Sequence, residues 1–282
     1  VEQALPACFD RAVVEADRII CTGLVEPHQY AGFSGGVKTI SIGCAGAQTI
    51  SAMHGLPYLR HPNTRLGQLE GNAFRGALRR LVRKLPPILA LQVVPCEDPV
   101  VTFGVAEEAF ERAASSAARE LFVGHKKTYP WVALPVPAVK ATNVYQSSRA
   151  ASYVALASHP VIEQGGWLLI EAACEEGMGE GNGERAFASA LERGREVLWR
   201  EFQDVRYLPA LRGGQQRAYV FAQVLSRFRM AWIGAPALEV LAAWDIPQFA
   251  TREEAIDALG LDVSKGLVAR DVFHRVPVLT SS

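Results

Sequence analysis

The sequence lacks an excess of charge of either sign. Its 29 Lys and Arg residues balance 29 Asp and Glu, for a formal net charge of zero. A nucleic-acid binder would show a basic field, so that class is set aside. No apolar run approaches the roughly 18 residues needed to span a bilayer, because charges and prolines interrupt each one, so no membrane partner is expected. Cysteines are few: Cys8, Cys21, Cys44, Cys96 and Cys174 are scattered, odd in number and form no CxxC pair. That pattern fits buried thiols in a cytoplasmic protein better than a disulfide scaffold. No secretory signal is read either, since Glu2 and Asp10 flank the first apolar stretch without a basic start. Sustained heptads, the dinucleotide fingerprint and the P-loop are all missing; no Ser or Thr follows a Gly-Lys pair.

What is present is an ordinary globular composition of 49% hydrophobic and 21% charged residues in 282. That length allows two modest domains or one large one. Helical and extended signals alternate along the chain. Residues 18–23 read as a short buried strand at the edge of a parallel layer, and 45–53 as a helix of small residues. A basic amphipathic helix covers 73–85, closed by Pro86 and Pro87. Its arginines, Arg75 among them, read first as a solvated face, with a phosphate site as the alternative. Strands are expected at 88–94 and 100–104, and a helix at 107–121. Around Tyr129-Pro130 the chain becomes extended and proline-interrupted, which places a domain boundary near 130. Beyond it come a helix within 143–157, a central strand at 166–173, helices at 186–202 and 217–228, and a strand at 230–233. Thr251 caps a helix at 252–259, and 266–270 forms a last strand. The fold class read from this alternation is α/β, with domains at 1–130 and 131–282 built on mostly parallel sheets flanked by helices. The C-terminal segment is given the option of packing back on the first domain.

One stretch stands out. His28-Gln-Tyr-Ala-Gly-Phe-Ser-Gly-Gly-Val-Lys38 places three glycines between a histidine and a lysine, and His54 follows after a run of small residues. Gly32, Gly35 and Gly36 offer positive-φ positions and close backbone approach, and successive amides in such a turn can cradle an anion. Lys38 then begins the next element, where it could meet that anion or form a covalent bond. His28 follows a strand end, the usual place for ligand groups in an open α/β sheet. For either histidine, a hydrogen-bonded loop residue is the plain alternative. A zinc site does not fit, because no cluster with metal spacing surrounds them. An imidazole can still complete a site for nickel or another borderline metal whose other ligands come from an organic cofactor. Tyr145, Gln146 and Arg149 form a second candidate group, in which the arginine fork suits a carboxylate; a surface arginine is the alternative. The loop 175–183, with four glycines, reads either as a ligand clasp or as a flexible acidic loop.

Taken together, the segment from Ile20 to Lys38, His54, Asn143-Val-Tyr-Gln-Ser147 and Gly165-Gly-Trp-Leu-Leu-Ile170 resembles the nickel-dependent lactate racemase family. The resemblance runs through the whole chain, and the His-to-Lys and Lys-to-His spacings are its most specific part. It implies two α/β domains with the active site between them, and a nickel pincer nucleotide, a pyridinium-3,5-bisthiocarboxylic acid mononucleotide, linked covalently through Lys38. On that pattern His54 is the protein ligand to nickel and His28 one of two acid/base histidines. Gly35, Gly36, Tyr145 and Gln146 face the cofactor, and Arg149 faces the substrate. The implied reaction is racemisation or epimerisation of a small 2-hydroxy acid by reversible hydride transfer. The implied partners are that acid and the enzymes that make the cofactor.

Three departures qualify the resemblance. The family's first domain begins well upstream of the position matching Val1 and carries there a second histidine, an aspartate and an arginine, so the first domain is expected to be truncated at its N-terminus. Arg149 stands where a lysine is usual, which points to a different acid or pose, such as a sugar acid or a larger hydroxy acid. Val37 stands where an arginine is common beside the linking lysine. The alternative reading is therefore a non-catalytic member that binds cofactor or nucleotide without a complete active site.

Overall fold

A computed structural model describes residues 5–208 and 211–280. The chain divides into two compact units, Val1–Phe122 with Leu208–Leu211 and Val123–Tyr207 with Arg212–Ser282. The division precedes residue 130 because Tyr129 and Pro130 already belong to a strand of the second unit, where Tyr129 pairs with Ile162.

In the first unit, the short helix α1 (Arg11–Glu15) is capped by Asp10, whose carboxylate accepts from the Ala12 amide. Strand β1 (Ile19–Leu24) leads to a two-residue ribbon, β2 (Pro27–His28) and β3 (Gly32–Phe33). The helices α2 (Lys38–Ser41), α3 (Ala47–Met53), α4 (Leu56–Leu59) and α5 (Ala73–Leu81) follow. Strands β4 (Ile88–Val94) and β5 (Val100–Val105) and helix α6 (Ala106–Glu120) complete the unit. The sheet runs β1-β4-β5, parallel between β1 and β4 and antiparallel between β4 and β5. Thus the layer is mixed. A parallel connection needs a crossover of about a dozen residues, and the link 95–99 is too short for one.

The two faces of this sheet differ sharply. Side chains alternate across a strand, so Cys21, Ala90, Gln92 and Val94 share the covered face. Val94 joins Val25, Phe33 and the α6 residues Phe110, Ala113, Ala114 and Ala117 in one buried cluster. The alanines let α6 lie close to the strands. On the other face the register brings together Ile20, Leu89 and Val105, then Thr22, Leu91 and Phe103, then Leu24, Val93 and Val101. Eight of these nine are apolar, yet Ile20 is 66%, Val101 60% and Phe103 56% exposed.

The second unit begins with β6 (Phe122–His125), β7 (Tyr129–Pro135), α7 (Val144–Ala155) and β8 (Ile162–Glu171). Helices α8 (Asn182–Leu191), α9 (Arg195–Gln203) and α10 (Gln215–Leu225) precede β9 (Arg229–Ile233). Then come α11 (Glu239–Ala242), β10 (Gln248–Phe249), α12 (Arg252–Ala258), β11 (Leu267–Val268) and β12 (Val276–Leu279). Five strands form a parallel sheet in the order β10-β9-β8-β7-β11. β8 is central and carries Leu168, Leu169 and Ile170, each fully buried, as expected for a parallel strand covered on both faces.

Two segments depart from the sequence reading. The single helix expected over 186–202 is broken into α8 and α9 by Gly194, whose φ of 86° no ordinary helix residue adopts. The strand expected at 266–270 shortens to β11, and β12, unread because Pro277 interrupts it, pairs with β6. No helix among the described residues is long and apolar enough to cross a membrane.

Trp131 anchors the second unit: its indole N–H donates to the Asp262 carbonyl at 2.9 Å, and its ring lies against Gly266. A Cβ on Gly266 would fall 1.9 Å from a ring carbon. Gly266→Ala should therefore cost about 1–3 kcal/mol through overpacking, read as a lowered urea midpoint. An unchanged midpoint would show that the ring gives way freely.

Candidate functional site

The sequence around His28 folds as a narrow ribbon whose end is locked by the histidine itself. His28 pairs with Gly32 across β2 and β3, and its Nδ1 accepts from the amides of Tyr30 and Ala31, both at 3.2 Å. Two donors converging on Nδ1 leave the proton of the neutral ring on Nε2. Ser34 ties the ribbon to the end of β1: its hydroxyl donates to the Leu24 carbonyl at 2.7 Å and accepts from the Glu26 amide at 2.9 Å.

The chain then turns through Gly35 and Gly36, at φ of 80° and 59°. Neither tolerates a side chain, since a Cβ on Gly35 would lie 2.3 Å from Gln92 Oε1 and one on Gly36 2.7 Å from Arg75 Nη2. The Gly36 amide donates to Gln92 Oε1 at 2.6 Å. That N–H is consequently spoken for, and the turn is not the free anion cradle that its glycines suggest. The next residue, Val37, caps α2, and Lys38 is its first residue, half-buried.

His54 sits where the sequence put it, as the C-terminal cap of α3. Its Nδ1 lies 2.9 Å from the Ile50 carbonyl. A carbonyl can only accept, so Nδ1 carries the proton and the neutral ring keeps its Nε2 lone pair. The imidazole is packed edge-on against Tyr30 and Phe74, with ring centroids at 5.8 and 5.4 Å. Desolvation by these neighbours lowers its pKa; the bond to Ile50 opposes the shift, and the positive charge of Lys38 adds to it. Tyr30 also meets the His28 ring edge-on at 5.6 Å, so one tyrosine bridges the two histidines. The first unit therefore brings His28 and His54 onto one tyrosine, with Lys38 near enough for its charge to act on His54.

Arg75 corrects the reading of α5 as a solvated basic face. It is 1% exposed, with its guanidinium 3.5 Å from the centroid of the Phe110 ring. It donates to the Gly35 carbonyl and pairs with Glu107, both at 3.3 Å. Burial pushes its pKa down to about 10, against the pull of Glu107. Gln92 was likewise unread as a site-supporting residue. Its signal was there, a lone polar side chain inside the apolar run Ile88–Val94.

In the second unit, α7 presents Tyr145, Gln146 and Arg149 from its first turns. Asn143 caps the helix by accepting from the Gln146 amide at 2.9 Å, and its own amide donates to Glu176 and Glu184. The glycine-bearing loop is thus engaged in holding this helix end, and its Gly177 carbonyl accepts from the Val144 amide. Tyr145 packs edge-on against Phe187 at 5.5 Å. Gln146 Oε1 accepts from Arg149 Nη1 at 3.3 Å. The Nε of Arg149 is buried and meets no hydrogen-bond acceptor among the described residues, so the guanidinium keeps capacity for an acidic ligand.

Fold and site define a class: an α/β protein of two units whose first unit presents a half-buried lysine at a helix start and a neutral imidazole at a helix end. The model of the lactate racemase N-terminal domain matches residues 2–67. Lactate racemase of Thermoanaerobacterium thermosaccharolyticum is 28% identical over 174 residues, 61% of this chain and 40% of that protein. Lactate racemase of Lactiplantibacillus plantarum is 26% identical over 180 residues, with the same two shares. The structure of the T. thermosaccharolyticum lactate racemase apoprotein superposes at a TM-score of 0.79 and 23% identity, covering 95% of this chain and 64% of the other. A Thermotoga maritima protein of known structure superposes at 0.68 with 14% identity, covering 96% and 69%. The chain is thus similar to lactate racemases in sequence and shares their fold, and its matched stretch spans 40% of the length of the two named racemases.

The lowered His54 pKa has a measurable consequence. The unfolded chain protonates this histidine near the ordinary value of about 6.5, and the folded chain only at lower pH. Stability must then fall as the pH drops below about 6.5, until the folded pKa is passed. His125, also lowered by burial, contributes with the same sign. His54→Gln should flatten that slope, measured by urea unfolding from about pH 7.5 to about pH 5; an unaltered slope would mean that His54 titrates normally.

Proposed function

We propose that this chain forms the cofactor-attachment portion of a racemase or epimerase acting on a small 2-hydroxy acid, with a nickel pincer nucleotide held through Lys38. The observation that carries the reading is the neutral His54 ring, its Nδ1 proton tied to Ile50 and its Nε2 lone pair retained, close enough to Lys38 to feel its charge. No group of three or more His, Cys, Asp or Glu side chains converges on a metal position among the described residues. A metal at His54 would therefore draw its other ligands from an organic group, which suits a pincer and not a protein-only site. When bound, that group supplies a reversible hydride acceptor for carbon 2 of the substrate.

The chain's own residues have definable tasks. Lys38 offers the amine for attachment, and His54 offers one nitrogen donor. His28 presents Nε2–H, which can donate a hydrogen bond to a substrate oxygen and stabilise negative charge developing there. The Tyr30 and Ala31 amides hold the ring in this orientation through Nδ1. Arg149, with its unpaired buried Nε, suits a carboxylate, and its contact with Gln146 couples the two side chains. Partners on this reading are the hydroxy acid and the cofactor-making enzymes, in the cytoplasm, where the five unpaired thiols remain reduced.

Coexpression with nickel and the cofactor-making enzymes, followed by intact-mass and peptide mapping, tests this directly. An adduct on Lys38 is expected, absent in Lys38→Ala; His54→Ala should keep the adduct and lose the nickel. An unmodified Lys38 in a folded sample, beside a loaded control lactate racemase, would sink the proposal and leave a non-catalytic member.

A further inference from the structure

We propose that Arg75 and Gln92 are positioning residues that clamp the Gly35–Gly36 turn from two sides and so hold Lys38, half-buried at the start of α2, in place. The inference deepens the reading of Lys38 as the attachment residue and rests on it. The turn has no secondary structure of its own, and two consecutive positive-φ glycines give it more conformational freedom than any other stretch near the lysine. What restrains it comes from elements distant in sequence. Gln92, fully buried on β4, accepts the Gly36 amide at 2.6 Å. Arg75, on α5, donates to the carbonyl of Gly35, the residue just before. The two bonds hold the single peptide group that joins Gly35 to Gly36, one through its N–H and one through its C=O.

Both clamping side chains are themselves immobilised. The Gln92 amide nitrogen donates to the Leu91 carbonyl at 2.9 Å. Arg75 lies on the Phe110 ring and is paired with Glu107, which also receives Arg79. Burying a guanidinium with its Nε unsatisfied is costly, and the unit would be served more simply by an apolar side chain if packing were its only need. The position of the Gly35 carbonyl is what the charged fork contributes. Lys38 follows two residues after Gly36, so any slack in the turn passes directly to the lysine.

The test uses the apoprotein, so that it stands apart from cofactor loading. Lys38 is acetylated with N-hydroxysulfosuccinimidyl acetate, and its rate is compared by peptide mapping with that of exposed Lys84; exchange of the Gly36 amide is followed in the same samples. Gln92→Leu should deprotect the Gly36 amide and raise the Lys38-to-Lys84 ratio about fivefold, the scale of one lost hydrogen bond. Gln92→Glu, which keeps an acceptor, should return both toward wild type. Arg75→Lys, which keeps the charge without the fork, should raise the ratio in the same direction. In the loaded protein, adduct yield at Lys38 should fall where labelling rises. If Gln92→Leu does not fold, Gln92→Glu and Arg75→Lys carry the comparison. A Lys38-to-Lys84 ratio unchanged in Arg75→Lys and in a folded Gln92→Leu would overturn the proposal. A ratio altered in apoprotein that takes up no cofactor would uphold the clamp and fault the function instead.

Discussion

The hydrogen bond from the Gly36 amide to Gln92 is the constraint on which the first unit's site depends. It joins the middle of a buried strand to a turn that would otherwise be free, and it fixes where α2 starts. Strand alternation makes it possible: Gln92 lies on the same face as Ala90 and Val94, beneath α6, so its side chain reaches the turn and not solvent. Arg75 answers from the helix side. The site is thus an outgrowth of the packed layer and not a loop laid over it, which is how a short glycine stretch can present a lysine reproducibly.

A similar economy governs the histidines. His28 and His54 are set in opposite tautomers by backbone groups alone: two amides fix one ring, one carbonyl fixes the other. Tyr30 fills the space between them. Backbone-set tautomers survive changes in the surrounding side chains, because the peptide groups that define them are present whatever residues carry them.

The elements legible in the sequence were those with strong periodicity or chemical punctuation. β4, α6, β8 and α12 announced themselves through apolar runs, alternating charge and the Thr251 cap. That Lys38 opens an element and His54 closes a helix was legible from the glycines and small residues around them. What escaped was everything decided by tertiary partners. The burial of Arg75 depends on Phe110 and Glu107, more than thirty residues away in sequence, and nothing within α5 distinguishes it from Arg79. The occupied Gly36 amide escaped because a glycine pair specifies conformational freedom and says nothing about who takes its hydrogen bonds. β12 was missed because Pro277 reads as a breaker, although on a two-stranded ribbon one strand side needs no donors.

The bare face of the β1-β4-β5 sheet has a consequence for how the chain behaves in bulk. Six large apolar side chains there are at least one-third exposed, and β1 and β5 form the two edges of the sheet among the described residues. An apolar surface bounded by open strand edges is attractive to any similar surface, including transiently exposed strands on neighbouring molecules. Its net charge of zero gives no long-range repulsion to counter that attraction. A few acidic residues introduced along β5 would place like charge on that face and oppose such association without touching the lysine site.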